Sequence, residues 1–340
     1  MIGRAAARLL DAPRYGPDEA GLAPAIDALG GEVVRLRSRD GVRLHGRWLP
    51  AETASAGTAA GEAGEWRPDP YEAILLLHGW TGSVAPDLVA LGPTLRRTAG
   101  VLGLDFRGHG GSDDGRTTWG LHEVEDVAGA LAWLGERGIR RVALIGSSMG
   151  GIVALAAVVT LGDGSLDAAD RDPYGPAAAV DAPRPRIVAV VAESVPPDLR
   201  IGVANRLTLP IGGPLRRAIA GRLFAAASRQ VGGDLRELEP ERVIGLVEPV
   251  PLLLIHGGAD RTVPPAFGRR LAARAGPSTE HWIVPGAQHA AARSAAPADW
   301  DDRVTRFLRH AFSGAREGEP IIAAPVGPAD APGEWGQEGD

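Results

Sequence analysis

At 340 residues, with 44% hydrophobic and 23% charged residues, the chain can remove about three quarters of its unfolded surface from water, as one large domain or two modest ones. It contains no cysteine and no lysine, which excludes disulfides, thiolate metal sites, a cysteine nucleophile, Schiff-base chemistry and the P-loop. The net charge of −6 gathers at the C-terminus, where residues 313–340 hold six acids against Arg316, so the body is near neutral and no nucleic-acid partner is expected.

Residues 1–31 read as an N-terminal extension. Its opening "MIGRAAARLLDAPR" is interrupted by Arg8 and shows no cleavage site, so it does not read as a signal peptide, and a cytoplasmic location is expected. No apolar run approaches the roughly 20 residues of a membrane span. "EVVRLRS" (32–38) and "GVRLHGRWLP" (41–50) alternate around an "RDG" turn, the pattern of an antiparallel hairpin. A Gly/Ala/Glu-rich loop over 51–70 follows.

From residue 73 onward, apolar runs alternate with helical stretches. Strands are expected over 73–79, 100–106 and 141–146, with helices near 86–98, 121–137 and 149–160. Such alternation predicts an α/β fold with a mostly parallel central sheet and helices on both faces. The stretch 161–186 is rich in Asp, Gly, Pro and Ala and reads as a surface insertion. Three more strands are expected over 187–194, 250–258 and 280–286. The connection between the first two of these is longer than a simple crossover needs, and its helical patches suggest a small helical cap over about 195–249. A last helix near 299–312 closes a domain spanning 32–312, and a disordered acidic tail over 313–340 is expected.

Every chemical candidate falls just past the C-terminal end of a predicted strand, where open α/β sheets place their ligands. "GSSMG" (146–150) fits G-x-S-x-G between a strand and a helix, and the flanking glycines permit a tight turn that lifts the central serine above the sheet. Ser148 is therefore the candidate nucleophile, with Ser147 the competing residue. A serine hydroxyl needs a base and a group to orient that base. Asp260 in "HGGADRTVPP" and His289 in "VPGAQHA" follow in the order Ser, Asp, His.

Asp260 also reads as a helix-start cap, and Glu193, at the end of the preceding strand, is the rival acid. His78 and His256 each precede a glycine at a strand end and read as braces of a turn. The other histidines, His45, His109, His122, His281 and His310, include no pair at metal-ligand spacing on one helix, so neither a metal nor a cofactor is expected. Arg200, Arg206, Arg216, Arg217 and Arg222 read as a solvated helix face, with binding of an anionic substrate as the alternative.

With "LLLHGW", "DFRGHGGS", "GSSMGG" and the pair "HGGADRTVP" and "GAQH" in this order, the sequence resembles the α/β-hydrolase superfamily over residues 32–312. The resemblance implies the α/β-hydrolase fold and an oxyanion hole formed by the backbone N–H groups of Trp80 and Met149. It also implies that Asp105 and Arg107 brace the loop after their strand. The single glycine before Trp80 differs from the HGGG type of some esterases, and Ser148 separates the chain from members whose nucleophile is aspartate. The expected activity is a serine hydrolase cleaving a small-molecule ester with a small or medium acyl chain. A lysophospholipase or monoacylglycerol-type lipase, a thioesterase, an oligopeptidase, and a receptor or scaffold that retains the triad are the alternatives.

Overall fold

A computed structural model describes residues 2–11, 19–52, 66–80, 82–162, 184–206 and 212–317 of the chain. The N-terminal stretch forms two helices, α1 (Ile2–Leu10) and α2 (Glu19–Ala28). The hairpin follows as β1 (Glu32–Arg37) and β2 (Arg43–Leu49), antiparallel, with Leu36 opposite Leu44. The alternating stretch gives β3 (Glu72–Leu77), α3 (Ala85–Leu95), β4 (Gly100–Leu104), α4 (Glu123–Glu136), β5 (Arg141–Ser147), α5 (Met149–Leu161) and β6 (Arg186–Glu193). Between β6 and β7 (Leu252–Gly257) lies the small helical cap, made of α6 (Leu199–Arg206), α7 (Gly213–Val231) and α8 (Pro240–Val243). The chain continues through α9 (Pro265–Ala272), β8 (Thr279–Val284), α10 (Ala292–Ala295) and α11 (Pro297–Glu317).

The eight strands form one sheet in the order β1-β2-β4-β3-β5-β6-β7-β8. All pairs from β4 to β8 are parallel, and β2 is antiparallel to both of its neighbours. Strands covered on both faces read as continuous apolar runs, and β3 is buried at every position. Its side chains divide the core by their period of two. Ala73, Leu75 and Leu77 join the layer containing α4, α5 and the cap, while Ile74 and Leu76 join the layer containing α3 and α11.

Helix α5 is buried throughout Met149–Val158, as expected of a helix that is apolar all round. Helix α11 instead buries one stripe, Trp300, Val304, Phe307, Leu308, Ala311, Phe312 and Ala315. That stripe explains why the helix runs past its expected end at residue 312: Ala315 still reaches the core, and Arg316 Nε donates to the buried Glu72 at 2.7 Å. The expected helix near 86–98 ends as α3 at Leu95, and the strand expected over 100–106 ends at Leu104. Most of the loop at 51–70, most of the insertion at 161–186 and the tail after Glu317 lie outside the described residues. Among the described residues, no helix is long and apolar enough to cross a membrane.

Candidate active site

The turn from β5 into α5 carries Ser148 with φ 52° and ψ −110°, a backbone region that costs a non-glycine residue of order 1–3 kcal/mol. The flanking glycines are required by space as well as by conformation. A Cβ on Gly146 would lie 2.3 Å from the backbone of Gly150, and one on Gly150 would lie 1.9 Å from the carbonyl oxygen of Leu77. The Ser148 turn thus presses directly on the end of β3. Its geometry is tied on the other side by the Ser148 N–H, which donates to the Glu193 carbonyl at 2.8 Å.

Ser148, His289 and Asp260 form one hydrogen-bonded chain. His289 Nε2 lies 3.0 Å from Ser148 Oγ, and His289 Nδ1 lies 2.8 Å from Asp260 Oδ2. The other carboxylate oxygen of Asp260 accepts the N–H groups of Thr262 and Val263, each at 2.8 Å. Burial alone would push this carboxyl upward, but hydrogen bonds from His289, the Val263 backbone and Ser194, together with the charge of His289, hold it below the usual carboxylate range. The loops bearing Asp260 and His289 are sewn together at their bases, where Gly258 N–H donates to Val284 and Ala259 N–H to Ala287, at 2.7 and 2.9 Å.

Glu193, the rival acid, is engaged elsewhere, its Oε1 accepting the Ala292 N–H at 2.8 Å. Burial, aided by the nearby charges of Asp87 and Asp260 and opposed by the Ala292 N–H, pushes its carboxyl up to about 7. The folded chain therefore holds this proton where the unfolded chain has released it, so the group costs stability as pH rises from the ordinary carboxylate range toward 7. Glu193→Gln is accordingly expected to raise Tm at about pH 8 and to leave it nearly unchanged at about pH 4. Paired thermal melts at the two pH values, with ester hydrolysis retained in the variant, check this assignment.

The loop after β3 runs beside the Ser148 turn: a Cβ on Gly79 would stand 3.8 Å from Ser148 Cβ. Trp80, Ser148 and Met149 line one chamber. His78 fixes this loop, its Nδ1–H donating to the Gly79 carbonyl at 2.8 Å and its Nε2 accepting the Phe106 N–H at 3.1 Å. Burial, with the neighbouring His109, pulls His78 down to about 4, which keeps the ring neutral and able to do both. His256 plays the parallel part under Asp260, donating from Nε2 to the Val263 carbonyl at 2.6 Å.

Asp105 accepts the N–H groups of Val84 and Gly111 at 2.8 and 3.0 Å, joining the loops that follow β3 and β4. Arg107 forks onto Asp40 at 2.8 and 2.7 Å and onto Asp126 at 2.9 and 2.7 Å. Of the cap arginines, Arg200 is paired with Asp198, Arg217 and Arg222 are exposed and Arg216 half-buried, while the side chain of Arg206 lies outside the described residues. Of the four whose side chains are described, none lines the chamber beside Ser148. Among the described residues, no group of three or more His, Asp or Glu side chains is arranged to hold a metal ion.

Ser194, Trp119 and Glu123 complete the surroundings, and no motif marks any of them in the sequence. Ser194 is fully buried, and its Oγ accepts the Ala290 N–H at 3.1 Å, linking the His289 loop to Asp260. Trp119, Ser148, Ser194 and Ala290 are the described non-glycine residues with positive φ, and all four lie at or beside this site. Such clustering of strained backbone marks a functional site, but φ values are not written in a sequence.

Residues 74–314 match the model of the alpha/beta hydrolase family. The chain belongs to that family. Among relatives of this alpha/beta hydrolase, the uncharacterized protein YfhR of Escherichia coli O157:H7 is 25% identical over 303 residues, covering 88% of this chain and 87% of that protein. The uncharacterized protein Rv2307c of Mycobacterium tuberculosis H37Rv is 27% identical over 289 residues, covering 83% and 79%. The solved structure of the Pyrococcus furiosus esterase PF2001 superposes with a TM-score of 0.57 at 21% identity, covering 84% of this chain and 93% of the esterase. A thermophilic esterase from Thermogutta terrifontis gives 0.52 at 18% identity, over 82% and 99%. These structural likenesses speak to the fold, and the family membership makes the chain a hydrolase.

Proposed function

We propose that this hydrolase cleaves carboxylic esters by serine catalysis through an acyl-enzyme. The observation that carries the reading is the unbroken hydrogen-bonded chain from Ser148 Oγ through His289 to Asp260. Ser148 Oγ attacks the ester carbonyl while His289 Nε2 takes its proton. The carbonyl π electrons move onto oxygen, and the N–H groups of Trp80 and Met149 receive the oxyanion, an interaction whose loss costs about 100- to 1000-fold in rate. Collapse of this intermediate breaks the ester C–O bond, and His289 returns its proton to the departing alcohol. Water then repeats the sequence on the acyl-serine, with His289 as base, releasing the acid and restoring Ser148.

Asp260 contributes by orientation and charge. Its Oδ2 accepts the Nδ1–H of His289, which leaves Nε2 unprotonated and facing Ser148, and the carboxylate offsets the charge of the imidazolium formed during attack. The Thr262 and Val263 N–H groups anchor the other carboxylate oxygen. His78 and His256, neutral and hydrogen-bonded to backbone, support loop shape and exchange no proton in this scheme.

A two-step route predicts a burst wherever deacylation is slower than acylation. Mixing the protein with excess p-nitrophenyl acetate is expected to release p-nitrophenolate rapidly, to about one equivalent per chain, before the slower steady state. Stopped-flow absorbance measures the amplitude. Zero amplitude with every acyl donor, together with no acyl adduct on the acid-quenched protein, would remove the acyl-enzyme from the scheme.

A further inference from the structure

The chamber beside Ser148 has a volume of about 30 Å³ and is walled by Trp80, Trp119, Ile152, Leu199, Val203 and Thr262. A space this narrow has room for only a small group. His289, which hands its proton to the departing alcohol, is not among the lining residues, whereas Ser148 and Met149 are. The part of the substrate that stays on Ser148 is therefore the part that enters. Building on the serine reading above, we propose that this is the acyl chamber, that Trp119 closes it, and that it selects acetyl and propionyl esters over longer ones.

The wall is fixed from three directions. Trp119 is only 6% exposed and has φ 48°. Its ring is tilted against Trp80 at 5.9 Å and 56°, and against Phe224 of α7 at 5.3 Å and 53°. The backbone on either side is clamped by one buried carboxylate, Glu123, which accepts the Thr118 N–H and hydroxyl at 2.7 Å each and the Gly120 N–H at 2.8 Å. An acidic side chain with no solvent exposure is expensive to bury unless its oxygens are satisfied, and here they are satisfied by the turn that presents Trp119. These contacts hold the ring across the chamber. From the cap, Leu199 and Val203 of α6 also line the chamber.

The test is a series of p-nitrophenyl esters from acetate through propionate and butyrate to hexanoate, read as kcat/KM, with burst amplitude recorded for each protein. The wild type is expected to prefer acetate or propionate and to lose at least ~10-fold by hexanoate. Trp119→Ala is expected to raise the ratio of hexanoate to acetate by ~10-fold or more. Because Trp119 is packed between two aromatic rings, Val203→Ala provides a gentler second variant, expected to shift the ratio in the same direction by less. Variants that keep a full burst and the wild-type chain-length profile overturn the chamber assignment alone, as does a wild type that prefers hexanoate. Absence of a burst in every protein, with no chain-length preference, overturns the serine reading and the chamber with it.

Discussion

Ser148→Ala is expected to lower kcat for p-nitrophenyl acetate by about 10⁶-fold, leaving the residual rate supplied by binding and the oxyanion donors. The size of the effect follows from the arrangement. Without Oγ, His289 Nε2 has no hydroxyl to deprotonate, and Asp260 orients a base that has no work. The substitution itself is mild, since alanine removes one oxygen from a half-buried side chain and keeps the Cβ that already occupies the turn. Circular dichroism and Tm close to the wild type, beside a steady-state rate reduced to background, constitute the expected result. Retention of turnover would show that another residue delivers the nucleophile.

Asp260→Asn is expected to cost about 10⁴-fold in kcat with little change in KM. Asparagine matches the carboxylate in shape and can still accept the Thr262 and Val263 N–H groups on its oxygen. Its amide then points N–H toward His289 Nδ1, which must turn acceptor, and the ring proton moves to Nε2, the atom that should take the proton of Ser148. The loss is thus one of tautomer rather than of fold. Asp260 is held below the usual carboxylate range, so it is fully ionised at every pH above that range and its own titration does not shape the neutral part of the rate profile. The control is Glu193→Gln, in which the Asp260–His289 bond at 2.8 Å is untouched. A loss of similar size there would transfer the acid's role to Glu193.

These two substitutions concern residues that were legible from the chain alone, and the reason is local. Ser148, Asp260 and His289 each follow an apolar strand by a few residues, and an open parallel sheet gathers the ends of its strands at one edge. The strand and helix sequence was equally legible, because β3, β5 and β6 are continuous apolar runs and α11 carries a clear stripe. What escaped were relationships that depend on packing. Glu123 sits five residues beyond Thr118, outside the spacing of a capping box, with a Trp-Gly turn between them that only the tertiary fold explains. The roles of Ser194 and of Leu199 and Val203 likewise arise from which loops meet above Ser148. The end of α11 is hidden because residues 313–317 (Ser-Gly-Ala-Arg-Glu) open a tail rich in Pro, Gly and acids, whereas burial of Ala315 and the Arg316–Glu72 pair decides the matter.

The most direct test of the central claim is mass spectrometry of the protein quenched in acid during turnover of p-nitrophenyl acetate. The account predicts a mass increase of one acetyl group per chain, mapped by peptide fragmentation to Ser148 and absent from Ser148→Ala. A protein that turns over the ester yet carries no adduct at Ser148, or carries it on Ser147 or His289, would contradict the account.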